Sequence, residues 1–117
     1  MNSDFTIFSK LIGNHLVIET SGYINIHGGE SIAKVANSHI ALGVNQIILN
    51  LTNSRVINSI GISILLEIIE KLQSVDGTLY FTNLSPTIEK TFTIMGIFQY
   101  AEKSESVDSI LQLSDSK

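Results

Sequence analysis

Strand-like and helix-like segments alternate along this chain in the order β-β-α-β-α-β-α-β-α, which predicts an α/β fold. Three observations carry that prediction. Residues 46–51 hold Ile47, Ile48, Leu49 and Leu51 with almost no polar alternation, as a central strand buried on both faces requires. Residues 59–75 follow with apolar side chains at helical spacing. A second strand-like run, residues 78–82, comes directly after it. Strands separated by helices imply a mainly parallel or mixed sheet with helices packed against it.

Taken in order, residues 5–12 and 15–20 read as a β-hairpin closed by Gly13-Asn14. Residues 23–26 extend the second strand after the break at Ser21-Gly22. Gly28-Gly29 reads as a loop before a helix over residues 30–42, where Ile32, Val35, Ala36, Ile40 and Leu42 fall at loosely helical spacing and Gly43 stops the run. No phosphate-loop or dinucleotide fingerprint surrounds the two glycines. In the long helix, Ile62, Leu65, Leu66, Ile69 and Leu72 share one face, and Ser63, Glu67, Glu70, Lys71 and Ser74 the other. Asp76-Gly77 turns into the next strand. Ser85-Pro86 starts another helix, with Glu89 in a first-turn or capping-box role and Gly96 as its stop. Residues 97–101 read as a last short strand. Ser104 or Ser106 caps a terminal helix carrying Val107, Ile110, Leu111 and Leu113, and residues 114–117 form a polar, frayed tail.

Composition narrows the function. A chain of 117 residues with 44% hydrophobic content is expected to be one domain, residues 1–117, with a single core. Seven basic and eleven acidic residues are scattered, so no basic stripe offers a nucleic-acid footprint. The absence of cysteine excludes disulfides, thiolate catalysis and Cys-ligated zinc. His15, His27 and His39 are too far apart for a local metal motif, and His39 reads as a hydrogen-bonded packing residue. No metal and no cofactor is expected. Neither a secretory leader nor an apolar run long enough for a bilayer is visible, so the expectation is a soluble cytoplasmic protein without membrane insertion. No Ser/His/Asp set or G-x-S-x-G elbow declares itself, which argues against an enzyme.

One place suggests chemistry. Ser59 stands at the mouth of the long helix, after Asn58 and before Gly61. Asn58 is a good N-cap, and a phosphate on Ser59 would meet unpaired N–H groups and the positive end of the helix dipole. The plainer reading is that Ser59 itself caps the helix. Ile60 and Ile64 fall on the polar side of the helical wheel. They form either a small exposed patch that marks a binding surface or a pair covered by a neighbouring loop.

The run ILNLTNSRVINSIGISILL, followed by DGTLYFTNLSPTIEKTF and IMGIFQY, resembles the STAS domain family of anti-sigma factor antagonists over nearly the whole chain. That family combines a buried strand, a short loop, an Asp-Ser-x-Gly-Leu motif opening an amphipathic helix, a glycine, a strand and an Asn-Leu segment. The resemblance implies a STAS-type α/β sandwich, with a mixed sheet of four or five strands and about four helices, and no catalytic activity. It implies that the unphosphorylated domain binds an anti-sigma factor, often a serine kinase, and so regulates sigma-factor-dependent transcription. Phosphorylation would break the complex and a PP2C-type phosphatase would restore it. By position, Ser59 matches the phospho-accepting serine and Gly61 the motif glycine. Asn25, Asn58, Ser59, Ile60, Gly61, Ile62 and Ile64 are the implied partner-binding positions. Amides replace three acids of the family pattern, at Asn25, Asn50 and Asn58, and Ile60 replaces a small residue. These replacements leave a second reading open, a non-switching STAS adaptor subunit of a membrane transport or signalling complex.

Overall fold

The computed structural model describes residues 5–115. Its hairpin consists of β1 (Thr6–Ile12) and β2 (His15–Ser21), paired antiparallel. Then come α1 (Ile26–Ile40), β3 (Gln46–Asn53), α2 (Ser59–Gln73), β4 (Thr78–Thr82) and α3 (Pro86–Ile94). A 3₁₀ turn (Ile97–Gln99), β5 (Glu102–Ser104) and α4 (Val107–Asp115) complete the described residues. The five strands lie in sequence order, β1-β2-β3-β4-β5, and every pair after the first is parallel. This is the mixed α/β sheet that the alternation predicted.

Side-chain alternation sorts the sheet into two faces. Leu16, Ile18, Ile47, Leu49, Leu51, Leu79 and Phe81 point to the face covered by α1, α2 and α3, and form the main core with Ile32, Ala36, Leu65, Ile69, Leu72, Ile88 and Phe92. Val17 and Ile48 point to the opposite face, where α4 covers them with Ile110. β3 is the middle strand and carries fully buried residues on both faces, which explains its unbroken aliphatic run. Phe81, Phe92 and Phe98 pack as an aromatic cluster with centroid separations of 5.0 to 6.5 Å. His39 is half-buried and its Nδ1 lies 2.8 Å from the Val35 carbonyl oxygen, the packing role read for it.

Several local expectations are corrected. α1 starts at Ile26, so residues 23–26 do not extend β2 as a ladder; they make one parallel bridge, Ile24 to Ile57, and then the cap. Gly28-Gly29 is the first turn of the helix rather than a loop before it. Crowding overrides the poor helix propensity of glycine there. A Cβ on Gly28 would lie 3.1 Å from the Phe5 ring, and one on Gly29 would lie 2.8 Å from Cδ1 of Ile64. The expected strand over residues 97–101 is instead the 3₁₀ turn, in which Ile97 plugs the core after Gly96 reverses the chain at φ 75°. The last strand is β5, whose polar Glu-Lys-Ser sequence gives no hydrophobic signal because an edge strand is held by its backbone. Its Lys103 reaches Glu89 at 2.6 Å, so Glu89 serves a surface ion pair in the first turn of α3 and not a capping box; Ile88, not Glu89, is three residues after the Ser85 cap. Ser106 rather than Ser104 caps α4, accepting from the Ser109 amide at 3.1 Å. The helix runs on to Asp115, and the last two tail residues lie outside the described ones.

Truncating a side chain in the aromatic cluster tests this account of the core. Phe92→Ala is expected to cost about 3–5 kcal/mol, read as a lower urea midpoint with an unchanged slope.

Candidate functional site

The C-terminal ends of β2, β3 and β4 each lead toward the N-terminus of a helix, so three helix starts meet at one end of the sheet. At each start a side chain accepts a backbone N–H: Asn25 from Gly28 at 3.1 Å, Asn58 from Gly61 at 2.8 Å, and Ser85 from Ile88 at 3.2 Å. The first two starts share a local sequence, Ile-Asn-x-x-Gly, at residues 24–28 and again at 57–61. The bridge between Ile24 and Ile57 sets these two segments side by side and parallel.

Backbone hydrogen bonds lock the loop that carries Ser59. Gly22 N–H donates to the Asn53 carbonyl at 2.9 Å, Ile24 N–H to Val56 at 3.0 Å, and Asn58 N–H to Ile24 at 3.1 Å. A buried contact of 2.7 Å joins the hydroxyls of Thr20 and Ser54 beneath the loop. From the other side, Ser85 Oγ donates to the Arg55 carbonyl at 3.3 Å. Gly61 is required by this approach: a Cβ there would run into the Ile24 carbonyl oxygen and reach within 3.0 Å of the Ile57 side chain.

Ser59 is therefore the first helical residue and not the cap. Asn58 makes the cap, and Ser59 is exposed. Helix geometry leaves the Ser59 and Ile60 amides without an acceptor four residues back. Residues 50–66 contain no carboxylate, and Arg55 is their one charged side chain.

The predicted site residues separate in the structure. Asn25, Asn58, Ser59 and Ile60 come together at the paired helix starts, and Ile60 is 48% exposed. Gly61 and Ile62 are buried, Gly61 under the Ile24 loop and Ile62 in the main core, so neither presents a side chain to a partner. The expected Ile60–Ile64 patch is not formed. Ile64 is half-buried against Gly29 of α1, because a neighbouring helix, rather than a loop, lies along that side of α2. Asn50 lies apart from this group: β3 continues beyond it to Asn53, and its Oδ1 accepts from Thr52 N–H at 3.0 Å and from the Thr52 hydroxyl at 2.6 Å.

Sequence reasoning missed three exposed apolar residues on the segments that the bridge joins. Tyr23, Ile26 and Val56 are all exposed, and the Ile24–Ile57 bridge brings their segments alongside the start of α2. The repeated Ile-Asn-x-x-Gly was the available signal, since two copies of a cap motif suggest two adjacent helix starts.

A family model of the STAS domain matches residues 8–110. The chain belongs to the STAS domain family. Comparison with curated proteins found no match. Among solved structures, an anti-sigma factor antagonist from Mycobacterium paratuberculosis is similar at 17% identity, with a TM-score of 0.81 over 94% of this chain and 93% of that one. The anti-sigma factor antagonist SpoIIAA in its unphosphorylated form is 22% identical, with a TM-score of 0.76 over 95% and 98% of the two chains. The phosphorylated form, from Bacillus, is 23% identical, with a TM-score of 0.75 over 92% and 99%. A murine solute carrier anion transporter in its inward-facing state is 9% identical, with a TM-score of 0.77 over 99% of this chain but 23% of the transporter. At these identities the likeness is one of fold.

Two substitutions test the construction of the site. Asn58→Ala is expected to cost about 1 kcal/mol through loss of the cap. Gly61→Ala, in spite of the helix propensity it gains, is expected to cost more than Asn58→Ala, because the Ile24 loop must move; both are read by urea denaturation.

Proposed function

We propose that this chain is an anti-sigma factor antagonist, a single-domain, non-catalytic binding module controlled by phosphate on Ser59. The observation that carries the reading is the division of labour at α2: Asn58 makes the cap, so the exposed Ser59 hydroxyl is spared for modification. STAS membership and antagonist relatives of the same fold support it, one of them solved in a phosphorylated form. The partner is an anti-sigma factor of the serine-kinase type, and binding it regulates sigma-factor-dependent transcription. Such a kinase transfers a phosphoryl group from ATP to Ser59 Oγ, and a PP2C-type phosphatase hydrolyses the ester. The setting is cytoplasmic, without nucleic-acid contact or membrane insertion; among the described residues, no helix is long and apolar enough to cross a bilayer.

The docking contact centres on Ile60 with Tyr23, Ile26 and Val56 around Ser59. Asn25 and Asn58 fix the two helix starts, Gly61 permits their close approach, and Ile62 anchors α2 in the core. Ile64 takes the role of a helix-packing residue. A phosphate adds a charge of about −1.5 to −2 to this apolar surface. Unbound, that charge is hydrated and faces the free amides of the helix start. Docking would have to strip its water, which costs several kcal/mol when no partner cation replaces it.

A second reading, a constitutive STAS adaptor in a transport complex, draws on the transporter of the same fold and on the missing carboxylates around Ser59. Phosphopeptide mapping of protein from its native cell separates the two: phosphate on Ser59 favours the switch, and its absence with a co-purifying transporter subunit favours the adaptor.

Binding to a candidate anti-sigma factor gives the direct test. Ser59→Asp is expected to weaken the complex by about tenfold or more. Ser59→Ala is expected to bind like the parent and to take up no phosphate. Equal binding by both variants would sink the switch.

A further inference from the structure

β1 closes one side of the sheet, and among the described residues its one strand neighbour is β2. The register fixes which of its peptide groups are committed. A two-residue loop joins Ile12 to His15, with Gly13 at φ 60°, so Ile12 and His15 form the hydrogen-bonded closing pair of the hairpin. Alternation then turns the N–H and C=O groups of Thr6, Phe8, Lys10 and Ile12 toward β2. Those of Ile7, Ser9 and Leu11 face outward along the edge. The same strand exposes two large apolar side chains, Phe8 at 59% and Leu11 at 54%.

We propose that this edge pairs, antiparallel, with β1 of a second copy of the same chain, about a two-fold axis at Ser9. Ser9 is the middle of the seven-residue strand, and the outward peptide groups are centred on it. With Ser9 opposite Ser9, Ile7 faces Leu11 of the second copy and Phe8 faces its Lys10. Both outer pairs and the central pair are then hydrogen-bonded ones. The Ile7–Leu11 contacts continue the apolar face that α1 and α2 cover. On the other face each Phe8 lies between Glu19 of its own chain, its neighbour in the β1–β2 register, and Lys10 of the second copy. Opposite charges thus flank each ring, and a Lys ammonium over an aromatic face is attractive. Sliding one way sets Lys10 opposite Lys10, which like-charge repulsion opposes. Sliding the other way moves Leu11 off the end of the paired strand.

The axis reverses the strand direction between copies. The Ser59 ends of the two sheets therefore point away from each other, and both remain open. A seven-residue edge is smaller than a standard protein interface, so the dimer is a weak, concentration-dependent one.

Sedimentation velocity over rising protein concentration is expected to show a monomer–dimer equilibrium. Ser9→Pro removes an outward N–H and leaves the β1–β2 ladder intact, and is expected to weaken dimerisation by about tenfold while β-sheet circular dichroism is kept. Because the chain has no cysteine, Ser9→Cys supplies a test that does not depend on how proline is tolerated. Opposed Cβ atoms in a hydrogen-bonded pair are about 5.5 Å apart, wider than a disulfide but within reach of a short bis-thiol cross-linker, which is expected to give a covalent dimer. A Ser74→Cys control on the far end of α2 is expected to give none. A monomer at every concentration, with no more cross-linking from Ser9→Cys than from the control, overturns the proposal. So does dimerisation that Ser9→Pro leaves unchanged, which would place the contact elsewhere.

Discussion

The contact between two loop backbones, residues 22–25 and 53–58, organises the end of this molecule that carries Ser59. Three amide hydrogen bonds and one β-bridge tie them together. Neither loop could be held this way by side chains alone, because the backbones approach too closely to admit any at Gly61. The position of α2 follows from the contact. So does the position of α1, whose cap comes directly after the bridge residue Ile24. Packing between the two helices then closes on Gly29 and Ile64, which is possible only because the helix starts are already in register. A serine at that helix mouth inherits a defined direction from the backbone beneath it.

The strands and long helices were legible because each has one dominant environment. β3 is buried on both faces, and the sequence of β4 matched its observed bounds. Reading failed where two environments compete. Gly28-Gly29 has the composition of a loop, yet helix packing selects glycine there for its missing side chain. A helical wheel offers one core face and one solvent face. α2 has a third, toward α1, and so Ile64 and Ile68 were misplaced or missed. β5 carries no apolar pattern because its side chains are not what holds it. At the site, Ser59 and Asn58 could be found from local chemistry alone. Tyr23 and Ile26 could not, since the tertiary bridge is what sets their segment beside the start of α2.

The buried and exposed members of the site do different kinds of work. Gly61 and Ile62 fix where the helix begins, and Ile60 and Ser59 face outward from that fixed point. Substituting the first pair alters geometry, whereas substituting the second alters the surface. An assay that measures binding alone cannot tell these apart, and stability measured in parallel can.

The paired Asn caps have a consequence in acid. An aspartate cap accepts its hydrogen bonds as an anion, and it weakens as pH falls toward about 3.9, where an unperturbed carboxyl takes up a proton. Asn25 and Asn58 carry no proton equilibrium in that range. Both helix starts therefore keep the same acceptors on either side of it. At the end of the molecule that holds Ser59, the hydrogen bonding of both caps is thus indifferent to acidity. Acid sensitivity must enter through the carboxylates and the three histidines, not through these two caps.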